Sequence, residues 1–308
     1  MMGGVSANAD ANPPRTRPVD PGHAARRSAS WTIAHTADDG PRPAGSQSIQ
    51  RALVLLNLVG VLARDRPEGV SLAELTRVSG RPKASVRRTL VALASEGFVE
   101  QDPDSALYRL GVQARVLGGL AEQDGGDLGA LSTDSLIRLA DASADTSFLT
   151  VRHGSYGVCT HRQEGPGRIR NYALAVGDRH PLGIGAGSLA ILSALSDAEV
   201  EEVLASTSAT RRRYPLFDDD ALRHLVRRSR QAGYALNEGR VVPGSWAVGV
   251  AIHDAADRPV AAFSVASIAE RLDRNRQHDL AALLAQEAAT VHTALVRAQQ
   301  SRRTRGRP

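Results

Sequence analysis

The segment between Gly80 and Gly97 constrains the fold of this chain more than any other. It carries Arg81, Lys83, Arg87 and Arg88 within eight residues and no acid before Glu96. Val86, Leu90 and Leu93 recur through it at helical spacing. A helix with that apolar stripe turned inward would present Ser85, Arg88 and Ala92 outward, with Arg87 at their flank. Taken alone, such a charge run describes a solvated face as readily as a binding face. The order of the elements around it decides between the two.

Upstream, Ile49, Ala52, Leu53, Leu56, Val59 and Ala63 repeat at helical spacing and predict an amphipathic first helix. Pro67-Glu68-Gly69 breaks it. Ser71-Leu72-Ala73-Glu74 has the form of a capping box, and the short helix behind it buries Leu72, Leu75 and Val78. Gly80 ends that helix, and Pro82 suits the first turn of the next. Downstream, Phe98–Glu100 and Leu107–Leu110 flank the turn-former cluster Asp102-Pro103-Asp104-Ser105, which predicts a β-hairpin. Helix, short helix, helix and hairpin in that order predict a winged helix-turn-helix over residues 47–110. A recognition helix needs a basic face that enters the major groove and an apolar back that fixes it to its domain. Arginine suits bidentate contacts to guanine, and hydroxyls suit phosphates or base edges. The expected DNA-contacting residues are Arg81, Lys83, Ser85, Arg87, Arg88 and Thr89, with Arg109 from the wing.

Residues 111–126 are expected to form a linker helix with Val112, Val116, Leu117 and Leu120 on one face, closing at Gly125-Gly126. Residues 127–300 read as α+β. Expected strands are Ser147–Val151, Tyr156–Thr160, Arg168–Leu174, Ala247–Ile252 and Val260–Ala266. Expected helices are Leu128–Ala142, Ser188–Leu195, Asp197–Ser206, Asp219–Ala232 and Asn275–Arg297. Residues 1–46 hold six of the 15 prolines and no apolar period. They read equally well as a disordered extension or as the product of an early start codon. Of 38 basic residues Lys83 is the only lysine, and the net charge is +5. After Glu287 the chain has five arginines and no acid, so the excess sits at the C-terminal end, with a basic tail expected over 301–308. The longest apolar stretch, Ala52–Ala63, is too short for a membrane span, and the N-terminus lacks the apolar core of a secretory signal. Cytoplasmic residence without a membrane partner is the expectation.

Both halves resemble one family. SQSIQRALVLLNLV and VSLAELTRVSGRPKASVRRTLVALASEGFVEQDPDSALYRLG look like the winged helix-turn-helix of IclR-type bacterial transcriptional regulators. VGDRHPLGIGAGSLAIL, GYALNEG and RPVAAFSVAS are similar to later landmarks of that family, in order. The resemblance covers about residues 47–298. It implies a GAF-like effector-binding domain, an operator-binding homodimer or homotetramer, and a pocket between the glycine-rich helix start and the later strands. That places Gly185, Ala186, Asn237 and Ser264 around the effector, with Trp246 as a flat apolar wall. The chain departs from the family pattern at Gly183, Ser188, Asn237, Trp246-Ala247 and Ala266.

Read from the residues themselves, Gly183–Ser188 lets backbone N–H groups at a helix start approach an anion, which points to an organic or aromatic carboxylate. The same glycines satisfy a loose dinucleotide fingerprint, Gly185-x-Gly187-x-x-Ala190. The alternative to a regulator is therefore a small-molecule oxidoreductase using the 183–190 loop. The fingerprint should follow a buried strand, and Asp178, Arg179, His180 and Pro181 precede it. No cofactor, metal site or catalytic residue is expected. The histidines show no metal-ligand spacing, and Cys159 is the only cysteine.

Overall fold

A computed structural model describes residues 46–64, 66–122, 128–167 and 174–305. The N-terminal domain is built from α1 (Gln47–Ala63), α2 (Leu72–Ser79), α3 (Lys83–Ser95), β1 (Val99–Gln101) and β2 (Tyr108–Leu110). The Ser71 hydroxyl accepts from the Glu74 N–H at 3.2 Å and starts α2. Only this half of the expected capping box forms. The Glu74 carboxylate turns away to Arg66 at 2.7 Å, an ion pair that outcompetes a return bond to the Ser71 backbone. Gly80 closes α2 at φ +64°, a left-handed cap that suits glycine. Pro82 sits at the N-cap of α3, one residue before the helix.

The core of this domain joins Leu55, Leu58, Val59 and Leu62 of α1 to Leu75, Val86, Leu90 and Leu93, and to Val70, Val99 and Tyr108 of the wing. The buried face of α1 is thus not the expected one. Ile49 and Leu53 are exposed, 64% and 53%. Residues 52–63 are apolar nearly all round, so their own period cannot choose a face; packing against α3 and β2 chooses it. The wing pairs Glu100 with Arg109 and Gln101 with Tyr108, and Val70 bridges Tyr108 from outside the hairpin. At its tip, Asp102 Oδ1 accepts from the N–H groups of Asp104 and Ser105 and from the Ser105 hydroxyl.

After α4 (Val112–Glu122), the C-terminal domain comprises α5 (Leu128–Ser143), β3 (Thr146–His153), β4 (Tyr156–Gln163), β5 (Arg179–Pro181), α6 (Ala186–Ser193), α7 (Asp197–Arg211), α8 (Asp219–Ala232), β6 (Ala235–Glu238), β7 (Ser245–His253), β8 (Pro259–Ile268) and α9 (Arg274–Arg305). Six strands form one antiparallel sheet in the order β5-β4-β3-β8-β7-β6. Side chains alternate across its pleat. Leu149, Val248, Phe263 and Val265 pack on one face against α5 and α9. Phe148, Cys159, Ala247 and Ala266 face α6 on the other, with a second core of α6, α7 and α8 behind. Arg138 of α5 grips Glu287 of α9 with two bonds, 2.9 and 2.7 Å.

Two strands lie outside the sequence reading. Both are short and at the two edges of the sheet: β5, which ends on Pro181, and β6, which is four residues long. The strand expected over Arg168–Leu174 falls mostly on residues outside those described. The helix expected to stop at Arg297 runs on to Arg305, so most of the basic stretch taken as a tail continues α9.

Leu90 is fully buried between α1 and α3. Leu90→Ala is expected to destabilise the N-terminal domain by roughly 2–5 kcal/mol. In thermal denaturation the transition of this domain should move down while that of the C-terminal domain stays in place.

Candidate nucleic-acid interface and effector cavity

α3 carries its apolar back inward and leaves Lys83, Ala84, Arg87, Arg88, Val91 and Ala92 exposed. Among the described residues, Lys83, Arg87 and Arg88 enter no ion pair. That contrasts with arginines elsewhere: Arg66, Arg138, Arg223, Arg228 and Arg230 each meet a carboxylate within 3 Å. Ser85 and Thr89 are half-buried, and the Thr89 hydroxyl donates to the Ser85 carbonyl at 3.1 Å. Of the residues expected to face outward, Arg87, Arg88 and Ala92 are exposed and Ser85 is half-buried. Arg81 lies half-buried in the turn before α3.

Arg109 stands on the wing with its charge matched by Glu100 at 3.1 Å. The wing tip adds Asp102, whose carboxyl is held below its usual range by the Ser105 N–H and hydroxyl, and Asp104 beside it. The hairpin is acidic toward its tip, and the cationic surface of the domain is that of α3.

The second feature is a small cavity of about 50 Å³ on the α6 face of the sheet. Its walls include Phe148 and Thr150 of β3, Gly157 and Cys159 of β4, His180, the start of α6 from Gly185 to Ser188, Asn237, Ala247 and Ser264. The helix start is pressed onto the sheet: a Cβ on Gly249 would lie 2.6 Å from the Ala186 carbonyl. Gly185 caps the helix at φ +83°, outside the range other residues adopt readily. The first N–H groups of α6 have no carbonyl one turn back to bond. Residues Gly185 to Ser188, which carry these groups, line the cavity.

Among the described residues, no Asp, Glu, Lys or Arg lines this space. Its two titratable groups are neutral at pH 7. Burial pulls the His180 imidazole down to about 4, and its Nδ1 lies 3.0 Å from the Tyr214 hydroxyl. Burial, with help from the Asp178 charge, pushes the Cys159 thiol far up, which makes it a poor nucleophile. Asn237 is buried, and its Oδ1 has no hydrogen-bond partner among the described residues.

A model of the IclR helix-turn-helix domain matches residues 48–103, and one described as the bacterial transcriptional regulator IclR C-terminal domain matches residues 124–293. The chain belongs to the IclR family. The IclR-family regulator XynR of Escherichia coli (strain K12) is 25% identical over 238 residues, 74% of this chain and 88% of its own. The glycerol operon regulatory protein of Streptomyces griseus is 29% identical over 226 residues, covering 73% and 86%. The repressor AllR of Salmonella typhi is 26% identical over 254 residues, covering 82% and 90%. The crystal structure of an IclR-family regulator from Alicyclobacillus acidocaldarius superimposes with a TM-score of 0.65 at 25% identity, over 80% of this chain and 98% of that one.

Membership makes this protein a ligand-responsive regulator of transcription, with a DNA-binding domain and an effector-binding domain, and not an enzyme. The oxidoreductase alternative fails on geometry too. The strand before the glycine-rich segment is β5, a three-residue antiparallel edge strand, whereas a dinucleotide fingerprint follows a buried parallel one. Gly183 is small because of packing: a Cβ there would meet Leu222 at 2.6 Å.

Of the residues expected around the effector, Gly185, Ala186, Asn237 and Ser264 line one cavity. Trp246 does not. It alternates with Ala247 along β7 and so faces the opposite side of the sheet, where it borders an open groove with Tyr234 and His278. Thr150, Gly157, Cys159 and His180 are cavity residues that sequence reasoning did not assign. The period-two alternation that puts Thr150 beside Phe148 on one face was the available signal.

His180 generates a pH prediction. Below pH 6.5 the unfolded chain takes up a proton at this position that the folded chain refuses until about pH 4. Stability present above 6.5 is therefore lost as pH falls toward 4, by up to about 3 kcal/mol. Denaturation at successive pH values should show the slope in the native protein and a shallower one in His180→Gln. Equal slopes would mean that His180 titrates normally.

Proposed function

We propose that this regulator senses a short aliphatic hydroxy acid in the α6 cavity, and that it binds its operator through α3 as a symmetric dimer. The observation that carries the ligand assignment is the pairing of two features across one uncharged space. The N-terminus of α6 offers N–H donors and a positive dipole end to a carboxylate. Opposite it, the buried Asn237 Oδ1 asks for a donor, which a ligand hydroxyl supplies. Ser264, Thr150 and Ser188 add hydroxyls that either donate or accept. Size narrows the class. A cavity of about 50 Å³ compares with the ~150 Å³ that accommodates benzene, which favours a few-carbon acid over an aromatic one.

The dimer assignment rests on α4 and α1. Val112, Val116, Leu117 and Leu120 of α4 are exposed, together with Ile49 and Leu53 of α1. Apolar residues crowded on one helix mark an interaction surface, and a second copy of the chain is the occupant that a two-fold operator requires.

Arg88→Ala should weaken binding to the preferred site by roughly 1–3 kcal/mol. Lys83→Ala should weaken all sequences alike and lower the salt slope by about one. Ser264→Ala and Asn237→Leu should bind operator as the native protein does, yet lose at least tenfold in affinity for glycolate or lactate in calorimetry. Normal affinity in both variants places the effector elsewhere, and tighter binding of benzoate than of lactate overturns the size argument. Val116→Glu with Leu120→Glu should sediment as a monomer and lose tenfold or more in operator affinity; an unchanged dimer removes α4 from the interface.

A further inference from the structure

The outward face of α3 is not uniformly polar. Its exposed residues Ala84, Arg87, Arg88 and Val91 follow one another at i, i+3, i+4 and i+7, which makes one continuous stripe on a helix. Val91 is 60% exposed, although Leu90 beside it is completely buried. A homeodomain's recognition helix reaches base edges with side chains at the same four spacings. Here the stripe has two cations at its centre and an aliphatic side chain at each end.

Among the described residues, nothing inside the domain accounts for Val91. It belongs to no buried cluster, and a β-branched residue is a weaker helix former than the lysine, glutamate or alanine such a position usually carries. Ser85 and Thr89 are half-buried, and the Thr89 hydroxyl is taken up by the Ser85 backbone carbonyl. The apolar feature that the major groove offers at a base edge is the C5-methyl group of thymine.

We propose that Val91 and Ala84 read thymine methyl groups on either side of the guanine taken by the α3 arginines. The proposal rests on α3 being the recognition helix. Seven residues at 1.5 Å rise separate the two aliphatic positions by about 10 Å. At 3.4 Å per step that is about three base pairs, so each half-site should carry two thymines about three steps apart with guanine between them. The arginines set the guanine, and the methyl contacts exclude cytosine and uracil at the flanks.

The test uses the full-length protein. A preferred duplex is first selected from a randomised library, and each thymine in it is then replaced by uracil, which removes the methyl group alone. Uracil at one or two positions per half-site should weaken binding about three- to fivefold, the effect of one buried methyl, and leave other positions unchanged. Val91→Ser should lose that sensitivity at one position while retaining guanine preference, salt slope and melting temperature; Val91→Ile should keep it. Specific binding that is insensitive to uracil everywhere, or a sensitivity that survives at every position in Val91→Ser, overturns the proposal and leaves α3 as the recognition helix. Binding without any sequence preference overturns both.

Discussion

The C-terminal domain is organised by the contact between the start of α6 and the middle of β7. The Ala186 carbonyl sits against Gly249 so tightly that any side chain there would collide with it. This contact presses a helix N-terminus onto the sheet, and three properties follow. The first residues of α6, whose N–H groups have no partner within the helix, line the cavity beside the strands. The strand residues opposite them must be small or short and polar, as Thr150, Gly157, Ala247 and Ser264 are. Among the described residues no charged side chain lines the space left over; a buried one would need a counter-ion. Polarity in the cavity comes from backbone, hydroxyl and amide groups, and its one imidazole is kept neutral by the same enclosure.

In the N-terminal domain the corresponding constraint is electrostatic. Many arginines of this chain are spent on structure. Arg66 holds the loop before α2, Arg138 ties α5 to α9, and Arg271 and Arg276 converge on the buried Asp145. Arg109 is matched across the wing. Lys83, Arg87 and Arg88 sit on a helix with no acid among its own residues, so their charge is available to phosphates and base edges. A polyanion is attracted to such a face with a strength that falls steeply with salt.

The legibility of these two sites in the sequence differed for physical reasons. α3 was readable because its signals are local: Gly80 and Pro82 begin it, Gly97 ends it, and its stripe has one period. Its cations Arg87 and Arg88 face outward as expected, whereas Ser85 and Thr89 are half-buried and the Thr89 hydroxyl bonds back to the Ser85 carbonyl. The helix Asp219–Ala232 was readable to the residue, with Asp218 capping it and Gly233 closing it at φ +78°. The face of α1 was not, since an all-round apolar helix leaves the choice to its neighbours. The edge strands β5 and β6 were missed because three or four residues carry no period of their own. Trp246 was placed in the cavity by its position next to a matching landmark, and the pleat sent it to the other face. The cavity is assembled from six strands and a helix far apart in sequence, so its membership is decided by register, as in the pairing of Thr150 with Ala262 and of Gly249 with Ser264.

Register also brings the two domains close. Gly177 donates to the Cys159 carbonyl, and the Cys159 N–H donates to Asp178, so the segment 174–178 is stitched to the strand that forms one cavity wall. Arg64, just past the end of α1, bonds the Val176 carbonyl from the other side and lies 3.8 Å from the Asp178 carboxylate. Cavity wall, segment and first helix of the DNA-binding domain are therefore contiguous. An effector shifts operator affinity only to the extent that it binds the two arrangements of the domains unequally. A hundredfold preference amounts to about 2.7 kcal/mol per site. That is a small fraction of the energy holding either core together. A contact as limited as that of Arg64 with 176–178 is of the right scale to differ between the two arrangements, whereas the buried cores of either domain are not.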